Sequence, residues 1–346
     1  MLNVSPRRAA WFGALTALIA LAACSSSPTN PNSQSGASTV ATDATANAAP
    51  TAAAQSDAPA KKTDVATAAP TSTGASQMQH AGNGAPVMSL IEVARPPFAY
   101  TLKQAVKVEA GDPPKITKTS EKKNAITDDI AWFEKNGLTL TGRMPRTGPP
   151  TLPTAPDSVP ATLGSNKLHF ILEHGDHTVL LYGPNWASMH EFIILDKSGR
   201  PHFQYDFSTF VKPLEVVPGD EDFTNAQVAW AIEKDGVLYV STAHPTYAKS
   251  SKGKNAFVTA IDAKTGELFW QSDPLVCNAQ NFVIHGGYII CGYGFTAEPD
   301  FLYVLSRANG KTVSKTPLKS GPTYLVMKDG KLYVRTYDTD YVFDIK

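Results

Sequence analysis

The chain has 346 residues, and its 31 Lys and Arg residues balance its 31 Asp and Glu residues. This balance argues against a protein that a basic patch holds on nucleic acid or on an anionic membrane surface. Phe, Trp and Tyr are absent between Phe12 and Phe98, so the first quarter of the chain lacks the aromatic residues that build a core. The remainder, residues 89–346, is long enough to bury a core without a metal or a disulfide.

The N-terminus has the features of an export signal. Arg7 and Arg8 precede an apolar run over residues 9–23, which is too short to span a bilayer as a helix. The run ends in Leu21-Ala22-Ala23-Cys24, which resembles the lipobox of bacterial lipoproteins. The resemblance implies that residues 1–23 are a signal peptide and that Cys24 becomes a lipid-bearing N-terminus, with palmitate among its acyl chains. The alternative is an ordinary signal peptide with a cysteine nearby.

The residue after the cysteine carries information about the destination. It is Ser25, and in lipoproteins of Gram-negative bacteria the lack of Asp at this position implies sorting to the outer membrane. We therefore expect a protein of the cell envelope that is anchored by lipid in the outer membrane and faces the periplasm or the cell surface.

Residues 24–88 consist of this cysteine followed by a segment of mostly Ala, Thr, Ser, Pro, Gln and Gly. Such a segment buries too little apolar surface to offset its chain entropy, so we expect it to be disordered. Pro50, Pro59 and Pro70 interrupt the Ala-rich stretches that would otherwise favour helix. The segment is therefore predicted to be a tether between the anchor and a domain over residues 89–346.

Five segments share one pattern, in which an apolar strand, a turn with glycine and a second apolar strand follow one another. Asn-Gly, Asp-Gly and Gly-Gly supply the positive φ angles of tight hairpin turns. The hairpins cover residues 130–141, 168–181, 228–240, 282–290 and 324–334, with turn glycines Gly137, Gly175, Gly236, Gly286 and Gly330. The distance along the chain from one turn glycine to the next sets the length of the repeat. A repeat of this length that contains only strands is typical of a four-stranded propeller blade.

The third hairpin is followed by a longer motif. Ala260-Ile261-Asp262-Ala263-Lys264-Thr265-Gly266-Glu267-Leu268-Phe269-Trp270 resembles the PQQ-like, or quinoprotein-type, propeller repeat. Weaker copies stand at 194–199 and 304–310, and a partial copy at 341–344 has no strand after it. The resemblance implies structural roles for the motif residues. Asp262 and Thr265 bond the turn backbone, Gly266 takes a left-handed conformation and Trp270 packs between neighbouring blades.

Together these patterns predict an all-β fold, a β-propeller of about five to six four-stranded blades after a disordered N-terminal tether. We expect residues 98–102 or 105–108 to supply the outer strand that the last blade lacks, which would close the ring. The Pro-rich stretch 145–160 is predicted to be an irregular connection that replaces the outer strands of a blade.

Besides Cys24, the chain has two cysteines, Cys277 and Cys291, which flank the fourth hairpin. An exported protein folds in an oxidising compartment, so we expect these two residues to form a disulfide. The alternative is a pair of buried free thiols.

Three groups of side chains have the chemistry of a ligand site, and each has a simpler structural interpretation. His174 and His177, with Asp176 between them, lack a third metal ligand, so we interpret them as a solvated turn. The acidic run 220–222 with Asn225 has oxygens that suit Ca²⁺ but lacks EF-hand spacing, so we interpret it as a solvated connection. The repeated tryptophans are interpreted as core residues rather than a platform for sugars: Trp132, Trp230 and Trp270.

The sequence has no Gly-x-Ser-x-Gly or His-Glu-x-x-His motif and no phosphate-cradling glycine loop. Quinoprotein dehydrogenases need neighbouring cysteines and a calcium-binding set of acidic and amide residues, and neither is found in this sequence. We therefore expect no cofactor, no metal and no enzyme activity. The predicted function is that of a lipid-anchored binding or scaffold protein, which holds a protein partner in the cell envelope through its propeller.

The nearest functional analogy is the propeller lipoprotein of the outer-membrane β-barrel assembly machinery, which makes cell-envelope assembly one candidate role. The alternative function is that of a surface enzyme that uses a quinone or Ca²⁺ and acts on an alcohol or a sugar.

Overall fold

The computed structural model describes residues 89–109, 111–140, 152–210, 216–219, 226–244, 251–295 and 297–346. These residues all belong to one compact unit. The signal segment, Cys24 and the predicted tether lie outside the described residues. The elements in chain order are β1 (Leu90–Glu92), β2 (Thr101–Leu102), β3 (Ile116–Lys123), α1 (Asp129–Lys135), β4 (Thr162–Leu163), β5 (Asn166–His174), β6 (His177–Gly183), β7 (Glu191–Leu195), β8 (Pro201–Asp206), β9 (Gln227–Lys234), β10 (Val237–Ala243), β11 (Phe257–Asp262), β12 (Leu268–Gln271), β13 (Val283–His285), β14 (Tyr288–Tyr293), β15 (Phe301–Ser306), β16 (Thr312–Pro317), β17 (Pro322–Lys328), β18 (Lys331–Thr336) and β19 (Thr339–Ile345).

The strands form a β-propeller, as the sequence predicts. Blade 1 holds β5–β8, blade 2 holds β9–β12, blade 3 holds β13–β16, and blade 4 holds β17–β19 together with β3. Blades 1 to 3 are each an antiparallel meander of four consecutive strands, and in blade 4 the meander β17–β19 is completed by β3, which pairs antiparallel with β19. The described residues contain four blades, which is fewer than the five to six that the repeats predict.

The segment predicted as the first hairpin accounts for part of this difference, because it begins with the helix α1. Asp128 caps the helix by accepting a hydrogen bond from the Ala131 N–H at 2.8 Å. Asn136-Gly137, interpreted from the sequence as a hairpin turn, follows the last turn of the helix. α1 has seven residues, and no helix in the described part of the chain is long and apolar enough to cross a membrane.

α1 covers the first strand of blade 4 instead of contributing a blade of its own. Trp132 and Phe133 pack against Tyr324 and Val326 of β17, and the rings of Phe133 and Tyr324 meet edge to face at 5.3 Å. The two adjacent aromatic residues that suggested a strand are therefore the buried side of a short helix.

Residues 89–109 and 111–123, which we call the strap, cross the blades in order. β1 pairs in parallel with β8 of blade 1, and β2 pairs with β12 of blade 2. In blade 3 the Ala308 carbonyl accepts a hydrogen bond from the Val106 N–H at 2.8 Å. β3 then pairs with β19 and supplies the outer strand of blade 4.

The prediction that residues 98–102 or 105–108 close the last blade is wrong in its choice of segment. Residues 101–102 form β2, which extends blade 2, and residues 105–108 contain no strand. The closing strand β3 has the sequence ITKTSEKK and is mostly exposed, so a search for apolar strands does not find it. The blade is nevertheless completed by a strand from the N-terminal side of the domain, which is the type of closure that the sequence predicts.

The middle strands of the blades form the core. β7 and β10 are buried at every residue, because both faces of the sheet pack against other parts of the propeller. The outer strand β16 is exposed along most of its length. The described part of the Pro-rich stretch, residues 152–160, contains no helix or strand.

The two ends of the blades define two faces. The turns between the first and second strands, at Gly175, Gly236, Gly286 and Gly330, mark the hairpin face. The opposite end, which we call the loop face, carries the connections between the second and third strands. Their described parts fall within residues 184–190, 244–256, 294–300 and 337–338.

Candidate functional site

Two cavities open at opposite ends of the space that the first strands surround. The cavity on the hairpin face, about 660 Å³, is lined by residues of β5, β9, β13 and β17 and thus by all four blades. The cavity on the loop face, about 600 Å³, lies among blades 2, 3 and 4 and the loops that follow their second strands. Because ligands bind preferentially where several elements form a concave surface, both cavities are candidate sites.

The wall of the hairpin-face cavity combines polar and apolar side chains and contains one aromatic pair. Trp230 is 2% exposed and meets the ring of His174 edge to face at 5.2 Å. Burial lowers the pKa of His174 to about 4, so this imidazole is neutral at neutral pH. Four aliphatic or thioether side chains line the same cavity: Ile232, Val283, Leu325 and Met327.

His174 and His177 face each other across the β5–β6 hairpin but have different neighbours. His177 Nδ1 lies 2.6 Å from Glu233 Oε2 of blade 2, and Glu233 Oε1 accepts a hydrogen bond from the Gly236 N–H. His177 is therefore a contact between two blades, which the sequence of the turn did not indicate. No group of three or more His, Cys, Asp or Glu residues with metal-binding geometry occurs in the described part of the chain.

Aromatic side chains are placed on the loop face by equivalent connections of three blades. Trp186, Phe295 and Tyr337 lie between the second and third strands of blades 1, 3 and 4. Trp186 is 45% exposed and Tyr337 is 86% exposed. Phe295 and Tyr337 also line the loop-face cavity. Exposed aromatic residues around a concave surface are typical of protein-binding sites.

The wall of the loop-face cavity combines polar and apolar surface and contains a buried carboxyl oxygen. The Asn278 amide pairs with Gly294, because it donates to the Gly294 carbonyl at 2.9 Å and accepts from the Gly294 N–H at 3.1 Å. Asp300 Oδ1 is buried and has no hydrogen-bond partner among the described residues. Burial raises the pKa of Asp300, and the nearby carboxyls of Asp338 and Glu298 add to the rise.

The motif residues lie in the turn between the third and fourth strands of blade 2. Asp262 Oδ1 accepts hydrogen bonds from the Lys264 and Thr265 N–H groups, each at 2.8 Å. Thr265 Oγ1 accepts from the Glu267 N–H at 3.3 Å. Gly266 has a φ of +73° and packs against Ile91 of the strap. The turn is thus held by side-chain acceptors, and it contacts the edge of blade 1.

Trp270 lies at the junction of blades 2 and 3. The indole is 0% exposed, and its Nε1–H donates to the Arg307 carbonyl of blade 3 at 2.9 Å. The Arg307 guanidinium returns to blade 2, where it donates to Asp235 Oδ2 at 2.8 Å and to the Tyr239 hydroxyl at 3.2 Å. This reciprocal pair holds the two blades in register.

Cys277 and Cys291 are both free thiols and fully buried, so the predicted disulfide is not formed in the structure. Cys291 Sγ instead donates to the Val276 carbonyl at 3.1 Å. Burial raises the pKa of Cys291, and the adjacent Cys277 adds to this rise. The pair therefore matches the alternative of two buried free thiols.

Some predicted sites cannot be placed. Cys24, the acidic run 220–222 and Asn225 lie outside the described residues. Trp132 and Trp230 are buried, the first on α1 and the second on β9. The sequence did not indicate Asp300, Gln227 or Tyr337, because these residues come from different loops and strand ends and share no pattern along the chain.

The chain matches no protein-family model and no curated protein. Among solved structures it is similar to BamB from Moraxella catarrhalis, with a TM-score of 0.29 and 16% identity over 50% of this chain and 57% of that one. It is also similar to the computationally designed Ika4 protein, with a TM-score of 0.30 and 13% identity over 51% of this chain and 89% of that one. A europium-containing methanol dehydrogenase gives a TM-score of 0.28 and 14% identity over 44% of this chain and 24% of that one. The chain spans little more than half the length of the BamB chain. The propeller fold is established by the four sheets of this chain itself.

Proposed function

We propose that this chain is a non-catalytic, lipid-anchored scaffold protein of the cell envelope, which holds a protein partner on its loop face outside the cytoplasm. The observation that supports the proposal is the set of aromatic residues on equivalent loops of one face, Trp186, Phe295 and Tyr337, of which Phe295 and Tyr337 line the loop-face cavity. Protein interfaces combine aromatic anchors with a few polar groups in this way, and a few such anchors carry most of the binding energy.

The rest of the domain suits a binding role because the loops stand on a rigid base. β9 and β10, which lead to the loop face in blade 2, are buried at nearly every residue. A rigid scaffold loses little conformational freedom when a partner binds, so more of the contact energy appears as affinity. Loops can then determine the partner while the blades maintain the fold.

The loop-face prediction is tested by replacing Trp186 and Tyr337 together with Ser. We expect affinity capture of the partner from detergent-solubilised membranes to weaken by about 30-fold or more, since truncating a central aromatic anchor removes 2 kcal/mol or more. The thermal unfolding temperature should stay near that of the wild type, because neither side chain is part of the core: Tyr337 is 86% and Trp186 45% exposed. The matched control is Leu102→Ser, which also removes an exposed apolar side chain (47% exposed) but lies on β2 at the edge of blade 2. Equal capture by the double variant and the wild type would contradict a partner site on this face.

The anchor is tested by replacing Cys24 with Ala. We expect the protein to leave the membrane fraction, because the thiol that would carry the lipid is lost while the domain is unchanged. Ser25→Ala is the matched control and should stay in the membrane fraction. In a Gram-negative host, Ser25→Asp should move the protein from the outer to the inner membrane. Detergent-dependent fractionation of Cys24→Ala that equals the wild type would refute the lipid anchor.

A further inference from the structure

The loop-face cavity contains two buried acceptor atoms for which the described residues supply no donor. The first is Asp300 Oδ1 and the second is Gln227 Oε1. Gln227 is only 8% exposed, and both residues line the same cavity of about 600 Å³. A buried acceptor without a donor is unfavourable in the free protein, so a ligand that brings N–H groups would be stabilised there.

The backbone around Asp300 is shaped to hold the carboxyl group in place. A methyl group at Gly294 would collide with Asp300 Oδ1, and the Cα of Gly321 lies close to the same position. The other two carboxyls of this region already have donors, because Glu298 accepts from the Tyr293 hydroxyl and Asp338 accepts from Ser320 and Thr339. Asp300 is therefore the acidic group of this cavity that still lacks a donor among the described residues.

The positive charges nearby are already engaged elsewhere or lie outside the cavity wall. Lys319 lines the cavity, but its Nζ lies 2.5 Å from Glu121 Oε1 of the strap. Lys123, also on the strap, is close enough to affect the Asp338 carboxyl. In the described part of the chain, the lysine of the cavity wall is thus paired with Glu121, and Asp300 has no cation of the wall as a partner.

The aromatic rim adds a second feature that favours a cation. Phe295 and Tyr337 line the cavity, and Tyr337 is 86% exposed, so its ring faces are open to a ligand. Aromatic faces attract guanidinium and ammonium groups, and Arg stacks on them more often than Lys does.

We propose that the loop-face cavity is a subsite for an arginine side chain of the partner protein, with Asp300 and Gln227 accepting from the guanidinium and the rim aromatics covering it. This inference rests on the proposed function. A guanidinium carries five N–H donors and no acceptor, which is the complement of two unpaired acceptors. A calcium ion fits less well, because no cluster of three acidic or His ligands occurs in the described part of the chain.

The test uses the full chain and two peptides, acetyl-Gly-Arg-Gly-amide and the same peptide with citrulline, whose side chain is similar in shape but neutral. We expect the arginine peptide to bind at least about tenfold more tightly than the citrulline peptide, because hydrogen bonds to an ionised group are the stronger ones. Asp300→Asn should abolish this preference. Glu267→Gln, which removes one exposed carboxylate from the hairpin-face side of blade 2, should keep it. NMR titration is suitable for such weak binding.

The unfolding temperature of the free variants supplies a readout that is independent of the peptide. Asp300→Asn should unfold at the same or a higher temperature than the wild type, because it removes a buried charge that lacks a partner. A clearly lower temperature would show that the fold already pairs this carboxylate, which would overturn the proposal. Gln227→Leu keeps the side-chain volume and should weaken the arginine peptide severalfold without loss of folding.

The remaining outcomes separate the subsite from the proposed function. Equal affinity for the two peptides would overturn the subsite. So would binding of Ca²⁺ at about 1 mM that depends on Asp300 and displaces the arginine peptide. Partner capture that depends on Trp186 and Tyr337 but not on Asp300 would also overturn the subsite and leave the proposed function in place. Arginine selectivity that depends on Asp300, without any partner captured on this face, would overturn the proposed function and leave the subsite in place.

Discussion

Replacing Trp270 with Ala is expected to lower the free energy of unfolding by about 3–5 kcal/mol. The indole is 0% exposed at the junction of blades 2 and 3, and its loss leaves both a cavity and a buried Arg307 carbonyl without its donor. The net stability of a domain is only about 5–15 kcal/mol, so denaturant titration should show a large fall in the midpoint. A midpoint equal to that of the wild type would refute the packing role and favour a ligand platform at Trp270.

Gly310 provides a matched test of the same contact from blade 3. A methyl group at this position would collide with the Trp270 ring, and the φ of +72° disfavours any side chain. Gly310→Ala should therefore destabilise the wild type strongly. In a Trp270→Ala background the collision disappears and only the backbone strain of about 1–2 kcal/mol remains. The two losses should thus be less than additive, whereas full additivity would mean that the ring and the glycine do not touch.

The periodic part of the fold could be predicted from the sequence because it depends on local patterns. Gly175, Gly236, Gly286 and Gly330 each lie in the turn between two apolar strands, as the alternation of apolar runs and turn residues indicates. The same logic fails at Asn136-Gly137, since an Asn-Gly pair can also follow the end of a helix. The sequence feature that does indicate a helix start here is Asp128, an N-cap residue, followed by the acidic Asp129 in the first turn of the helix.

The strap and the loop-face site could not be predicted in the same way. β3 is polar and exposed, and its identity as a blade strand follows only from its pairing with β19, more than 200 positions away in the sequence. Asp300, Gln227 and Tyr337 come from three different blades and meet only in the folded chain. Motif spacing reports side chains that one element brings together, so it carries no information on a site that several loops assemble.

Replacing Arg335 with Met is expected to lower the free energy of unfolding by about 3–5 kcal/mol, because it breaks a buried ion pair by removing one partner. The guanidinium is 4% exposed and lies 5.5 Å from the centre of the Trp132 ring. It donates to Asp129 at 2.5 Å, to Asp340 at 3.4 Å and to the Ile126 carbonyl at 2.8 Å, and so joins α1 to blade 4. Methionine fills a similar volume but leaves these acceptors without a donor. Chemical denaturation of the variant measures the loss.

The pH dependence of this loss identifies its cause. Burial raises the pKa of Asp340, and Arg335 opposes the rise, so the folded variant should hold a proton on Asp340 up to a higher pH than the folded wild type. The unfolded variant and the unfolded wild type bind protons alike. A carboxyl whose pKa is raised by folding lowers the free energy of unfolding of the protein as the pH rises toward that folded pKa. The gap between variant and wild type should therefore be larger at about pH 7 than at about pH 4. Arg335→Lys keeps the charge without the planar fork and should show a smaller loss and a weaker pH dependence. A loss of the same size at both pH values would instead assign the effect to packing against Trp132.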